Sequence, residues 1–338
     1  MKRVHELRWN PLLREWIIVA GHRGKRPWRP EEKKKICPFC PGAPETKDKG
    51  KWKVLVLPNK FPALKPNPPI PTPSRGLYKT SEAKGFCEVI VETPNHEGDL
   101  CDLSLNHMKE VVEMYVNEYK RLGEYEFIKY VMIFRNKGKE IGVSLTHPHS
   151  QIYALPFIPP RPLKELEASK DYFNATGKCL LCSILKEELD EGERLIYENH
   201  EFIAFLPFYA MWPYEVHVVS KRHVESLLKL EDKEKLALAD VLRIITATYN
   251  ALFDFDMPYI MVIHQAPTDG EDYSFYHMHI EFYPPYRERD KLKYAAGIEW
   301  GAGTFTYDGI PEEKAKELRR ACSKVLKSKD HLGWIPNE

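Results

Sequence analysis

The sequence predicts an α+β protein made of two copies of one unit, each with an antiparallel sheet and a long helix. Three ordered echoes between its halves carry that reading. Cys37-Pro-Phe-Cys40 returns as Cys179-Leu-Leu-Cys182. The run Glu88–His96 returns as Glu215–His223, with a long amphipathic stretch after each terminal histidine. His147-x-His149-x-Gln151 returns as His277-x-His279-x-Glu281. One echo alone is within the reach of chance. Several in the same order indicate a duplication, with halves at residues 1–160 and 161–338.

The elements follow from periodicity and punctuation. Alternating or short β-branched and aromatic runs predict strands at Glu15–Ala20, Trp52–Leu57, Cys87–Glu92, Ile128–Arg135 and Gln151–Leu155. In the second half they predict Phe202–Leu206, Glu215–Val219, Tyr259–His264 and His279–Tyr283. Helical spacing places helices at Leu103–Leu122, Lys164–Tyr172, Leu181–Glu188, Lys233–Phe253 and Pro311–Leu326. The last opens on proline followed by two glutamates, which suits a helix N-terminus. Pro62–Pro73 and Phe157–Pro162 read as loops.

Length and charge narrow the function. A chain of 338 residues can bury a large core. With 50 Lys+Arg against 49 Asp+Glu, no general affinity for nucleic acid or a membrane surface is expected. No apolar run is read as a membrane span, and Met1–Glu6 leads into no signal-peptide core. The expected location is therefore the cytoplasm. There, four of seven cysteines in two CxxC pairs indicate metal or redox chemistry rather than a disulfide framework.

Each CxxC has two distant histidines to complete it: Cys37, Cys40, His96 and His147, then Cys179, Cys182, His223 and His277. Two thiolates and two imidazoles form a closed tetrahedral set suited to structural zinc. The competing reading is buried cysteines and satisfied core histidines, which matched positions in two halves disfavour. A nucleic-acid-binding zinc finger would need much shorter spacings and a basic stripe. The metal set takes His147 and leaves His149 outside it. On a strand, His147, His149 and Gln151 would form a row about 6.5–7 Å apart per step. Gln151 is one of two glutamines in the chain.

Over nearly its whole length the chain resembles the galactose-1-phosphate uridylyltransferase family of the histidine-triad superfamily. The resemblance rests on His22–Trp28, the first CxxC, Asn59-Lys-Phe61, Phe134–Gly138, Ser144, the His147–Gln151 core, Phe282–Pro285 and Lys293-x-x-x-Gly-x-Glu299. It implies a histidine-triad-like fold and a two-step exchange. His149 would take UMP from UDP-glucose, release glucose 1-phosphate, and pass UMP to galactose 1-phosphate, giving UDP-galactose. A neutral imidazole suits this, because it attacks phosphorus near neutral pH without losing a proton. Gln151 would hydrogen-bond the transferred phosphoryl group without shuttling protons.

The same resemblance implies further roles. Arg23 and Arg26 match diphosphate-binding arginines, and a guanidinium fork fits phosphate oxygens. Asn59 and Phe61 match residues around the uridine, and Asn136 and Ser144 match phosphate-binding positions. Lys293, Tyr294 and Glu299 match a sugar-phosphate segment that reaches a neighbouring subunit's site, which implies a homodimer with shared active sites. Some members hold a further metal, iron or zinc, on one glutamate and three histidines. Here those positions are Glu165, His264, His279 and Glu281, so one histidine is replaced by glutamate. The second CxxC also resembles a plant-type ADP-glucose phosphorylase, which uses inorganic phosphate as acceptor. The remaining alternative is a zinc-stabilised nucleotide-binding protein without turnover.

Overall fold

The computed structural model describes residues 4–25 and 37–335. In chain order the strands are β1 (His5–Asn10), β2 (Glu15–Ala20), β3 (Leu55–Pro58), β4 (Thr80–Glu82), β5 (Phe86–Val91), β6 (Tyr130–Lys137) and β7 (His149–Leu155). They continue as β8 (Leu195–Glu198), β9 (Phe202–Phe205), β10 (Val216–Ser220), β11 (Tyr259–His264), β12 (His279–Tyr283), β13 (Tyr286–Glu288) and β14 (Lys291–Leu292). The helices are α1 (Leu105–Gly123), α2 (Pro160–Thr176), α3 (Leu180–Glu191), α4 (Asp232–Phe253), α5 (Gly297–Ala302) and α6 (Pro311–Leu326).

Nine strands form one sheet in the order β3-β5-β7-β6-β11-β12-β10-β9-β8. Read outward from the β6–β11 seam, β7, β5 and β3 on one side answer β12, β10 and β9 on the other. All the pairings are antiparallel. The α+β architecture with duplicated halves is therefore built as one continuous sheet, joined where Ile133 faces Ile263 and Phe134 faces Val262. A three-stranded sheet, β2-β1-β4, and the β13–β14 hairpin stand apart from it.

One face of the large sheet is covered by α1, α4 and α6. Ser104 caps α1 by accepting the His107 N–H, and Met108, Val111, Val112, Tyr115, Tyr119 and Leu122 recur at helical spacing on its buried side. They join Val131, Ile133, Ile152, Ile263 and Ile280 in the main core. The 22-residue α4 is long and apolar enough to cross a membrane, a feature the sequence reading passed over. However, 72% of its apolar window is buried inside the protein, where it packs on α1 and α6. It is the central core helix.

The other face is treated differently in the two halves. On the second half, α3 lays Leu185 over Ile203, Phe205 and Val219. On the first half, β7 alternates half-buried and buried residues, so His149, Gln151 and Tyr153 line a face left partly open.

Several boundaries differ from the sequence reading. The Phe157–Pro162 loop ends early, because α2 starts at Pro160, where proline's missing N–H costs nothing. β1 was not anticipated: its polar sequence hides a buried Glu6, which accepts from Thr72 and Arg8. β4, β8, β13, β14 and α5 have two to six residues each, too short for a periodic signal.

The seam supplies a test. Ile263→Ala should cost about 3 kcal/mol by leaving a cavity at a fully buried position. Calorimetry should show one unfolding transition, moved down as a whole. Separate transitions for the two halves would contradict a single cooperative sheet.

Candidate active site

β7 places three side chains on the open face: His149, Gln151 and Tyr153. His147 is not in this row. The strand starts at His149, and His147 lies before Pro148 with its ring fully buried. The expected row of His147, His149 and Gln151 is therefore shifted by one step along the strand. Arg23, Phe134, Asn136, Val143 and Ser144 complete a pocket around His149, Gln151 and Tyr153. A second recess shares His149, Asn136 and Val143 with it and is also lined by Arg135 and Lys137.

The His149 ring is oriented by its own loop. Its Nδ1 lies 2.8 Å from the His147 carbonyl oxygen, which can only accept, so Nδ1 carries the proton. In the neutral ring, Nε2 then keeps the lone pair. Arg23, in a short 3₁₀ turn at Gly21–Lys25, donates to the Tyr153 hydroxyl at 3.1 Å.

His147 turns Nδ1 toward Cys37 and Cys40, 3.7 Å from each sulfur, while His96 Nδ1 lies 3.4 Å from Cys40. The four donor atoms lie within 4.8 Å of one another. A tetrahedral zinc, with bonds of about 2.3 Å to sulfur and about 2.0 Å to nitrogen, would separate its sulfur and nitrogen ligands by roughly 3.5 Å. The set fits. His147 Nε2 donates to the Thr93 carbonyl at 2.8 Å, the outer contact that fixes a ligating imidazole. Burial holds the His147 pKa below its ordinary value, which favours the neutral, ligating form.

The second set repeats this arrangement. Cys182 Sγ is 3.5 Å from His223 Nδ1 and 3.3 Å from His277 Nδ1, and its four donor atoms also lie within 4.8 Å. The far nitrogens bond the Ser274 carbonyl at 3.0 Å and the Ser220 hydroxyl at 2.8 Å. Cys179 is the N-cap of α3, where the helix end favours a thiolate. A hydrogen bond from the Cys182 thiol, together with His223 and His277, pulls the Cys179 pKa far down despite burial.

Glu165, His264 and His279 also bring donor atoms within 4.8 Å. Their setting is different, because Glu281 and His217 fill the space. His264 has a carboxylate at each nitrogen, Glu165 at 2.9 Å from Nδ1 and Glu281 at 3.2 Å from Nε2. Glu281 is also 3.3 Å from both His279 Nε2 and His217 Nε2, and His217 is 2.9 Å from Glu215. Burial alone would lower the His264 pKa, yet Glu281 and Glu165 outweigh it and push it up to about 10. Both His264 nitrogens are engaged by carboxylates, so the set reads as an acid–base network, while the donor atoms of Glu165, His264 and His279 lie close enough together to hold a metal.

The remaining expected residues divide. Asn59 and Phe61 are not walls of the described pocket; the Asn59 side chain accepts the Phe61 N–H at 2.9 Å within its own loop. Arg26 lies outside the described residues. Lys293 is buried against Thr306 and Asp308, and Glu299 caps α5 through the Ala296 N–H, so neither lines this pocket. Tyr294 and Trp300, by contrast, are 71% and 82% exposed.

Comparison with known proteins shows the family. The family model for the galactose-1-phosphate uridyl transferase N-terminal domain matches residues 1–159, and that for its C-terminal domain matches residues 165–331. The chain belongs to the galactose-1-phosphate uridyl transferase family. A Thermotoga maritima galactose-1-phosphate uridylyltransferase is 43% identical, over 93% of this chain and 98% of that protein. A solved uridylyltransferase structure superposes with a TM-score of 0.87 at 45% identity, over 95% of this chain and 99% of the other. An Arabidopsis thaliana ADP-glucose phosphorylase with bound ADP-glucose is more distant. Its TM-score is 0.71 at 28% identity, over 93% of this chain and 98% of that one.

Within this nucleotidyltransferase family member, sequence reasoning missed Tyr153 and Phe134 as pocket walls. The signal for Tyr153 was present: it stands two residues after Gln151, so strand alternation continues the row.

Two experiments test the sites. Cys37→Ala and Cys179→Ala should each remove about one zinc ion per chain, read by elemental analysis, and lower Tm. Unchanged zinc in either variant would refute that site. For His264, the raised pKa means its stabilising charge is fully present below about pH 6.5 and is lost as pH rises through about 10. The stability gap between wild type and His264→Gln should therefore shrink from about pH 7 to pH 10 in denaturant titrations. A gap that widens with pH would indicate a metal ligand instead.

Proposed function

We propose that this protein is a UDP-glucose–hexose-1-phosphate uridylyltransferase that works through a covalent uridylyl-His149. The observation that carries this is the His149 tautomer. With Nδ1–H held by the His147 carbonyl, the Nε2 lone pair is directed into a pocket of phosphate-binding character. Nε2 attacks the α-phosphorus of UDP-glucose, and the bond to the bridging oxygen breaks. That electron pair leaves with glucose 1-phosphate. A phosphate oxygen of galactose 1-phosphate then attacks the same phosphorus, giving UDP-galactose and restoring neutral His149.

Around this centre, Gln151 donates its amide to the phosphoryl oxygens. Arg23, held by Tyr153, and Arg26 neutralise the diphosphate. Asn136 and Ser144 hydrogen-bond phosphate, while Asn59 and Phe61 flank the uridine. Zinc on the two Cys2His2 sets supplies fixed geometry. Glu165, His264, His279 and Glu281 act as a polar core without iron. The halves at 1–160 and 161–338 derive from a duplication, and the palindromic strand order supports this. Exposed Tyr294, Ile298 and Trp300 support a homodimer in which the Lys293–Glu299 segment serves the partner's site. Seven unpaired cysteines suit a reducing, cytoplasmic setting. The 43% identity to the Thermotoga maritima uridylyltransferase, against 30% to the Arabidopsis thaliana ADP-glucose phosphorylase, favours uridine and a hexose 1-phosphate acceptor.

Incubation with UDP-glucose alone should add the mass of UMP to the intact chain. His149→Ala should abolish that gain, and galactose 1-phosphate should discharge the adduct. An adduct formed only from ADP-glucose and discharged only by inorganic phosphate would replace this reading with the phosphorylase.

A further inference from the structure

Behind the pocket, the covered face of the same strands holds a buried ion network. Arg135 and Lys137 alternate with Phe134 and Asn136 along β6, so they do not line the pocket that holds Gln151 and Tyr153, although both border the second recess beside His149. Arg135 Nε donates to both oxygens of Glu92, at 3.1 and 3.0 Å. Its Nη1 donates to the Tyr259 hydroxyl at 2.8 Å and pairs with Asp99 at 3.0 Å. Lys137 reaches Asp99 at 2.6 Å. Glu92, Asp99 and Arg135 are all buried.

Glu92 is also fastened to the peptide that carries His149. Its N–H donates to the Pro148 carbonyl at 3.1 Å. Its carboxylate accepts the Ser150 hydroxyl at 2.5 Å, with Tyr115 of α1 bonding both. The next residue, Thr93, accepts His147 Nε2 at 2.8 Å. His107 of α1 in turn donates to the Glu92 carbonyl at 2.9 Å. The residues before and after His149 are thus both tied to Glu92, by its backbone on one side and its side chain on the other.

We infer that Glu92 is a positioning residue for His149, acting through Ser150 and Pro148 with Arg135 as its counter-charge. The inference rests on His149 being the nucleophile. The carboxylate never reaches the pocket, because it lies on the opposite face of the sheet. What it sets is the depth and tilt of the peptide that holds the Nδ1–H bond to His147. A carboxylate is needed because Ser150, Tyr115 and Arg135 all donate to it, and only an acceptor with two oxygens satisfies them together. Outer contacts of this kind typically affect rate about 10- to 100-fold when lost.

Three variants separate positioning from bulk stability. Ser150→Ala cuts the tether and leaves the ion pair. Glu92→Gln weakens both. Glu92→Leu combined with Arg135→Met replaces the pair by apolar groups and should recover much of the Tm lost in Glu92→Gln. The rate of uridylyl-His149 formation from UDP-glucose should fall about 10- to 100-fold in all three, with KM within about twofold and zinc content unchanged. Recovery of the wild-type rate in the double variant, or a normal rate in Ser150→Ala, would reduce Glu92 to a structural residue. A second readout is independent of turnover: ¹⁵N shifts of labelled histidine should report Nδ1–H at His149 in wild type and mixed tautomers in the variants. If the wild type forms no adduct, the transfer reading fails while this readout still decides the clamp. Unchanged tautomer in every variant would overturn it.

Discussion

His147 joins the first Cys2His2 donor set to the His149 pocket through three contacts made by one residue. Its Nδ1 faces the two CxxC sulfurs, its Nε2 donates to Thr93, and its carbonyl accepts the His149 Nδ1–H. The first two fix the ring and peptide, and the third selects which nitrogen of His149 keeps its lone pair. A histidine left to choose its tautomer would present the wrong nitrogen part of the time. The Cys37, Cys40, His96 and His147 donor set is thus linked, through the His147 carbonyl, to the proton position on the His149 ring. Glu92 completes the arrangement from the covered side, so the short segment His147–Ser150 is fixed at every residue.

The two halves show how one design reaches different ends. Both carry a metal-set histidine just before a strand, followed by a second histidine as the first strand residue. In the first half the second histidine faces a pocket. In the second half α2 supplies Glu165, α3 covers the neighbouring strands, and His279 is buried among Glu281, His264 and His217. Burying carboxylates and imidazoles together is tolerable because each charge finds an opposite charge. The row that stayed open has an amide, a group able to donate to phosphate oxygens. The row that closed has a carboxylate, which repels phosphate but satisfies imidazolium.

Much of this was legible in the residues because the relevant periods are short. Alternation marked β2, β11 and β12 at their observed bounds, and the helix-start proline marked α6. Cysteine and histidine spacing predicted two complete donor sets, since few residue types bind zinc and both sets repeat. The elements that escaped were short or polar. β1 hides Glu6 through a hydrogen bond from Thr72, 66 residues away, and no local pattern reports such a partner.

By itself, then, the sequence singled out the His149–Gln151 pair as the candidate for chemistry, the two Cys2His2 donor sets, and the duplicated order that relates them. Those choices are local, set by residue type and spacing. The tertiary structure decided orientation and company. It placed His147 outside the strand row, extended that row to Tyr153, backed it with Glu92 and Arg135, and drew Glu165, His264, His279 and Glu281 together with His217. Each of these depends on contacts between segments far apart in the chain, where burial and charge balance act on groups that no window of sequence brings together.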